Sequence, residues 1–332
     1  MQKTLHMTGR SLLTLRDISD EEFLGLMDLT AELKSKKERG ENGSSLRGKH
    51  LALVFEKMST RTRCAASVAV ADEGGRAEYL SSRETHFGKK ESAADSARVL
   101  GRMFDGILFR GFHQETVELL ARHSGVPVWN GLTDAAHPTQ TMADVFTILE
   151  TFGELRGRKV VYVGDGRNNV ASSLMIGCAK VGMEFVNCTP SELSPPESLV
   201  QEAAKVAATN GSKVTIEHDP VVAAKGANVI YTDVWISMGE ESKQEERIAL
   251  LRPYQVDTDL MRSTGNLESN EVIFLHCLPA FHDAETEVTR DIGALEVSDE
   301  VFESSYSRVF DLAENRMHTM KALFVASLGE LQ

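Results

Sequence analysis

Residues 59–63 read Ser-Thr-Arg-Thr-Arg, directly after an apolar, strand-like run from Leu51 to Phe55 and before an alanine-rich, helix-like stretch. The first turn of a helix leaves backbone N–H groups without intrahelical partners, and its dipole favours negative charge. Two hydroxyl residues and two guanidinium groups at such an end can hold a phosphate dianion. The same letters also describe an ordinary capped helix with solvated arginines. This segment alone leaves both readings open.

Four further segments carry polar chemistry at element ends. His137-Pro-Thr-Gln140 opens a long helical pattern. Proline suits the first helical position and keeps the preceding residue out of the α region, so His137 is expected just outside the helix with its ring free to face a cleft. His276-Cys-Leu-Pro279 ends the apolar run Val272–Leu275, and strand C-termini are where open α/β sheets place ligands. Cys277 reads as a contact, since no histidine at a recognisable catalytic spacing marks it as a nucleophile. Gly164-Asp-Gly-Arg-Asn-Asn169 lies between a strand and a helix. It fails the dinucleotide fingerprint, because Asn169 stands at the third glycine position and no acidic residue follows at the end of the next strand. A polar loop able to hold a carboxylate remains. Asp233-Val-Trp-Ile-Ser-Met-Gly239 follows another strand and offers a carboxylate for an ammonium group.

These segments need a frame. Ser19-Asp-Glu-Glu22 has capping-box form and opens a helix with Phe23, Leu26, Met27 and Leu33 on its apolar stripe, interrupted by Thr30. Strand-like and helix-like runs then alternate from Leu51 to Phe152: strands at Leu51–Phe55, Ala77–Leu80, Gly106–Phe109 and Val126–Trp129, and helices at Ser59–Glu73, Glu91–Phe104, Glu115–Arg122 and His137–Phe152. After Gly153 the alternation restarts at Lys159–Val163 and Asn168–Val181 and runs to Val272–Leu275. Such alternation predicts parallel sheets covered on both faces. The expected fold is α/β, with two doubly wound parallel-sheet domains joined by interdomain helices. They are placed at 1–150 and 151–312, with a C-terminal helix at 313–332 packing back towards the first.

The chain of 332 residues is 42% hydrophobic and 26% charged, as in globular proteins, and long enough for two domains. A formal net charge of −13 argues against a general nucleic-acid or membrane-surface binder but not against local capture of a small anion. The cysteines, Cys64, Cys178, Cys188 and Cys277, form no C-x-x-C pair and suggest neither zinc nor a disulfide framework. The N-terminus lacks the apolar run of a signal peptide, and no stretch approaches the roughly 20 residues that span a bilayer. No metal and no membrane partner are expected, and the cytoplasm is the expected location.

Taken in order, Ser59–Arg63, Gly88-Lys-Lys-Glu-Ser92, His137–Gln140, Asp233 with Ser237-Met-Gly239, His276–Pro279 and Glu314-Asn-Arg-Met317 resemble the ornithine carbamoyltransferase family over almost the whole chain, with a shortened stretch near Glu285–Ala294. The resemblance implies transfer of the carbamoyl group of carbamoyl phosphate to the δ-amine of L-ornithine, giving citrulline and phosphate. The reaction is reversible and serves arginine biosynthesis or arginine breakdown. The resemblance further implies that Ser59, Thr60, Arg61 and Thr62 hold the phosphate, while Arg110, His137 and Gln140 bind the carbamoyl group with Arg316 nearby. Asn169, Asp233, Ser237 and Met238 would hold the amino-acid end of ornithine, with Cys277 and Leu278 beside its reacting amine and a cis Leu278–Pro279 bond. It implies no metal or organic cofactor. The assembly would be a homotrimer or a multiple of trimers with active sites at subunit interfaces, the segment with His86 and Lys90 entering a neighbour's site. His86 replaces the family's usual glutamine and Ala66 its usual phenylalanine. Related enzymes acting on putrescine or acetylornithine are the main alternative. A nucleotide-dependent oxidoreductase is disfavoured by the failed glycine pattern, and a non-catalytic homologue by the retained arginines and His137.

Overall fold

The computed structural model describes residues 5–81, 91–236 and 243–329. The chain forms two compact units: Met1–Phe146 with Glu314–Gln332, and Thr147–Ala313.

In the first unit, α1 (Asp20–Glu38) starts from the expected capping box. Ser19 Oγ accepts the Glu22 N–H at 3.1 Å, and a Glu22 carboxylate oxygen accepts the Ser19 N–H at 2.8 Å. Thr30 is fully buried because its hydroxyl donates to the Leu26 carbonyl at 2.6 Å, which satisfies the polar group inside the helix. The series continues as β1 (His50–Phe55), α2 (Thr60–Asp72), β2 (Arg76–Ser81), α3 (Ala93–Met103), β3 (Gly106–Arg110), α4 (Gln114–Ser124), β4 (Val128–Leu132) and α5 (Pro138–Phe152), which passes into the second unit at Thr147. All four strands are parallel, in the order β2-β1-β3-β4. β1 and β3 are the inner strands, and their near-continuous apolar runs are buried on both faces.

β4 begins after Pro127 and runs through Asn130 and Gly131, further than propensity predicts. Burial decides this: the Asn130 amide is satisfied by the Leu13 carbonyl at 2.9 Å, by Gln114 at 3.2 Å and by Thr133 at 3.1 Å. At the N-terminal side of the chain, Leu12 forms a parallel bridge to Trp129.

The second unit holds β5 (Lys159–Val163), α6 (Asn169–Val181), β6 (Glu184–Cys188), α7 (Glu197–Thr209), β7 (Val214–Glu217), α8 (Pro220–Ala224), β8 (Val229–Thr232), α9 (Gln244–Leu251), α10 (Thr258–Ser263), β9 (Ile273–His276) and α11 (Asp299–Phe302). Its five strands are parallel, in the order β7-β6-β5-β8-β9. The core is built from Val161, Val163, Ile230, Trp235, Phe274 and their neighbours. Helices α8 to α11 have at most eight residues each, too few for a helical period to show in the sequence.

The last helix, α12 (Val309–Leu328), lies in the first unit from Glu314 onward. There the Phe324 ring packs 4.7 Å from the Trp129 ring, whose indole N–H donates to Ser327 at 3.1 Å. Lys321, buried, donates to Asp72 at 2.6 Å.

Both sheets reverse their winding direction once, between β1 and β3 and between β5 and β8. At such a switch point the connecting loops run to opposite faces and leave a crevice at the strand carboxyl ends. The two polar segments Ser59–Arg63 and Gly164–Asn169 sit at these two places.

The approach of α3 to α4 depends on one glycine. A Cβ at Gly101 would lie 1.8 Å from the Ser124 carbonyl oxygen, which is backbone and cannot rotate away. Gly101→Ala is expected to cost about 1–3 kcal/mol through overpacking and to lower the melting temperature. An unchanged thermal transition would show that the two helices separate without penalty.

Candidate active site

In the first unit the groups converge at the carboxyl ends of β1, β3 and β4. Ser59 is the N-cap of α2, its Oγ accepting the Thr62 N–H at 3.3 Å. A hydroxyl that accepts from the backbone still has its own proton to give. Ser59 can therefore cap the helix and donate to an oxyanion at its end. Thr60 and Arg61 occupy the first turn, where backbone N–H groups point outward along the axis. Arg63 does not join them: its guanidinium lies 3.9 Å from the Tyr79 ring centroid. Of the two guanidiniums that the motif offers, the structure commits Arg63 to stacking.

Thr62 is the centre of the arrangement. Its Oγ1 accepts from Arg316 Nη2 at 2.7 Å and from Arg110 Nη1 at 3.4 Å. Both acceptor positions of the hydroxyl are then used, so its O–H points to a third partner. Arg110 also donates to the Gly131 carbonyl at 3.3 Å. The register between β3 and β4 shifts at this point, pairing Phe109 with Asn130 and Arg110 with Leu132. A bulge of this kind re-aims a side chain at a strand end.

His137 stands immediately before Pro138, outside α5 as the sequence predicts. It is almost fully buried, with Nδ1 3.5 Å from Thr139 Oγ1. Burial first, then the Arg316 and Arg110 charges, drive its pKa well below the usual value of 6.5. The imidazole is neutral at physiological pH and can donate one hydrogen bond without adding charge. Gln140, one turn along α5, is fully buried and donates from Nε2 to Asp144 at 2.9 Å. Among the described residues its Oε1 has no hydrogen-bond partner, an acceptor suited to an amide NH2.

In the second unit the groups converge on Asp233, at the end of β8. Its Oδ1 accepts from the Cys277 thiol at 3.0 Å and from the Val234 N–H at 2.8 Å, and its Oδ2 from Asn168 Nδ2 at 3.0 Å. Burial raises its pKa, against the lowering effects of His276, Cys277 and Val234. An ammonium group placed beside it would reverse much of that penalty. Asn169 is the first residue of α6, with its own carbonyl accepting from Ser173 at 2.8 Å. Leu278 has a positive φ of 55° and precedes a cis peptide bond to Pro279, as the resemblance implies.

Three groups here escaped the sequence reading. Asn168, the N-cap of α6, fixes one Asp233 oxygen while its own Oδ1 accepts the Val170 N–H at 2.7 Å. Its signal was its place in the polar loop, beside the residue chosen. Glu296 is fully buried and lies 3.3 Å from His276 Nε2. Its Oε1 accepts the Phe281 N–H at 2.6 Å, and His276 Nδ1 accepts the Leu278 N–H at 2.9 Å, so the pair holds both flanks of the 277–280 turn. Arg247, buried on α9, pairs with Asp165 at 2.5 Å. Burial raises the Asp165 pKa, but bonds from Arg167 and Arg247 outweigh it and hold the carboxyl below the usual range. Nothing in the sequence marks Glu296 or Arg247, which read as ordinary charges on a solvated surface.

His86, Lys90, Ser237 and Met238 lie outside the described residues. Asp233, His276 and Cys277 offer donor atoms within 4.8 Å of one another. The hydrogen bonds just described already engage all three.

One parallel sheet gathers hydroxyl and guanidinium groups at its switch point, the other a buried carboxylate, an arrangement of two-domain α/β enzymes that bind small molecules at strand carboxyl ends. The chain belongs to the aspartate/ornithine carbamoyltransferase family: the profile of the carbamoyl-P binding domain matches residues 10–150 and that of the Asp/Orn binding domain residues 156–327. It is similar to a protein of Bacillus licheniformis named "Ornithine carbamoyltransferase, catabolic", with 54% identity over 100% of both chains. An ornithine carbamoyltransferase of Pseudothermotoga lettingae is 53% identical over 98% of this chain and 99% of its own. Among solved structures, ornithine carbamoyltransferase from Pyrococcus furiosus superposes with a TM-score of 0.91, at 42% identity, over 99% of this chain and 100% of its own.

The lowered His137 pKa has a measurable consequence. Folding removes a proton that the unfolded imidazole would hold below about pH 6.5, so His137 contributes less to stability as pH falls through that value. In isotope-labelled protein the His137 ring is expected to keep neutral imidazole chemical shifts as pH falls from 8 through the usual 6.5. A titration centred near 6.5 would show that neither burial nor the two arginines act on it as described.

Proposed function

We propose that this chain is an ornithine carbamoyltransferase, transferring the carbamoyl group of carbamoyl phosphate to the δ-amine of L-ornithine to give L-citrulline and phosphate. The observation that carries the reading is the Thr62 hydroxyl held between two guanidinium groups, beside a neutral histidine. The δ-amine attacks the carbamoyl carbon, negative charge develops on the carbamoyl oxygen, and phosphate leaves. Thr62, Arg110, His137 and Arg316 supply donors where that charge appears. Ser59, Thr60 and Arg61, with the first turn of α2, receive the departing dianion. Gln140 Oε1 accepts from the carbamoyl NH2 and fixes which face of the carbon is presented. Residues 1–150 thus form the carbamoyl phosphate domain, 151–312 the ornithine domain, and 313–332 a helix that returns Arg316 to the first.

Asp233 takes the α-ammonium of ornithine, with Asn169 donating to its carboxylate and Ser237 and Met238 completing that end. Cys277 and Leu278 lie beside the side-chain amine. That amine has an ordinary pKa of about 10.4 and must lose a proton before it attacks. Desolvation and nearby guanidinium charge both favour the loss. Binding a second substrate of fixed orientation supplies much of the acceleration, and no covalent enzyme intermediate is needed. Putrescine lacks both the α-ammonium and the carboxylate, so the groups around Asp233 favour ornithine. The word catabolic in the name of the Bacillus licheniformis relative supports use of the reversible reaction towards carbamoyl phosphate in arginine breakdown.

The protein is further proposed to work as a homotrimer, or a multiple of trimers, in the cytoplasm, with His86 and Lys90 serving a neighbouring site. Four free cysteines and, among the described residues, no helix long and apolar enough to cross a membrane fit that location. Light scattering is expected to give three times the 36.5 kDa chain mass or a multiple of that. A monomer or dimer overturns the assembly.

Citrulline formation should be measured with ornithine, putrescine and acetylornithine side by side, and ornithine is expected to be preferred. Charge-assisted bonds are worth roughly 1.5–3 kcal/mol each, so Arg61→Ala should raise KM for carbamoyl phosphate by about tenfold or more. Asp233→Asn should raise KM for ornithine by a similar factor. Preference for putrescine, or ornithine kinetics unchanged in Asp233→Asn, sinks the assignment.

A further inference from the structure

One buried guanidinium ties together the two loops that carry Asp233 and its partner. Arg247 Nη2 donates to Asp165 Oδ2 at 2.5 Å, while Nε and Nη2 donate to the Trp235 carbonyl at 2.9 and 2.8 Å. Asp165 stands in the loop leaving β5, where its own carbonyl accepts the Asn168 N–H at 3.1 Å. Asn168 Nδ2 then reaches Asp233 Oδ2 at 3.0 Å, and Trp235 follows Asp233 by two residues. The bonds close a circuit: Arg247 to Asp165, along the loop to Asn168, across to Asp233, along the chain to Trp235, and back to Arg247.

We propose that Arg247, anchored by Asp165, is a positioning residue that sets the pose of Asp233 and so the affinity of the enzyme for its amino-acid substrate. The inference rests on the assignment of Asp233 to the α-ammonium of ornithine. Arg247 and Asp165 are both at least nine-tenths buried, and a buried ion pair is a poor device for raising stability. It is a good device for fixing geometry, because the planar fork holds its acceptors in set directions. Here those acceptors belong to the two segments whose spacing places the Asn168 amide on the Asp233 carboxylate. A lysine ammonium is a point charge on a flexible stem and cannot reproduce the fork. Arg167, which also bonds to Asp165 through Nε at 3.1 Å and Nη2 at 3.1 Å, is exposed and stands two residues away in the same loop, so these bonds do not tie the two segments together.

The test uses the full chain, with Arg247→Lys, Arg247→Gln and the double variant Arg247→Gln/Asp165→Asn, each checked for its thermal transition. KM is measured for ornithine and for carbamoyl phosphate. Inhibition is measured with L-norvaline, which has the same α-ammonium and carboxylate but no δ-amine. Arg247→Lys is expected to raise the ornithine KM and the norvaline inhibition constant in parallel by about tenfold, with carbamoyl phosphate KM within about twofold. The double variant restores a neutral hydrogen-bonding pair and should recover part of the loss seen in Arg247→Gln. An ornithine KM within about twofold of wild type in Arg247→Lys, or an equal rise for both substrates, overturns the proposal. A wild-type protein that makes no citrulline removes the underlying assignment and this inference with it. Active wild type with indifferent variants removes the inference alone.

Discussion

Two buried guanidinium groups meeting at one hydroxyl set the character of the first unit. Arg110 and Arg316 are like charges brought to a shared acceptor, and their repulsion in a poorly solvated place is relieved most fully by an anion. Several other features follow from that field. His137 stays neutral because burial and both arginines oppose its charge. The Lys57 ammonium is lowered first by burial and next by Arg110, and it rests 4.3 Å from the Phe112 ring centroid. A chain of net charge −13 thus carries a local concentration of positive charge, since the field at a point depends on the nearest groups and not on the total.

The second unit has the opposite sign. Burial raises the pKa of Asp233, and the Tyr162 hydroxyl is pushed well above its usual value first by burial and then by Asp233 and Asp165. The two units therefore present unlike charge at their strand ends, guanidinium groups in one and a buried carboxylate in the other. Each keeps its unfavourable charge in place with neutral hydrogen bonds, from Thr62 in the first and from Asn168 and Cys277 in the second. This arrangement leaves room for the ligand to supply the compensating charge.

The parallel sheets are what make such sites possible. A strand buried on both faces takes a polar side chain along its length only where a partner satisfies it, so most polar groups gather at its carboxyl end. β1 is apolar to Phe55 and yields Ser59 to Thr62 beyond it; β8 is buried to Thr232 and yields Asp233 beyond it. The same economy explains why Asn130 and Gly131, poor strand residues, lie inside β4. Their place beside β3 and the bulge at Arg110 matters more than their propensity.

Much of this was legible in the sequence because it is local. The capping box at Ser19, the Ser59 cap of α2, the His137–Pro138 entry to α5 and the alternation of strands and helices all depend on neighbours a few residues away. The six motifs in order were enough to place the chain in its family. The tertiary structure alone decided which polar groups meet. Arg316 bonds to Thr62 across 254 positions, Arg247 to Asp165 across 82, and Asn168 to Asp233 across 65. It also drew the Arg63 guanidinium onto the Tyr79 ring. No local period records such pairings, because they are set by the order of strands in a sheet and by the burial that makes each polar group seek a partner.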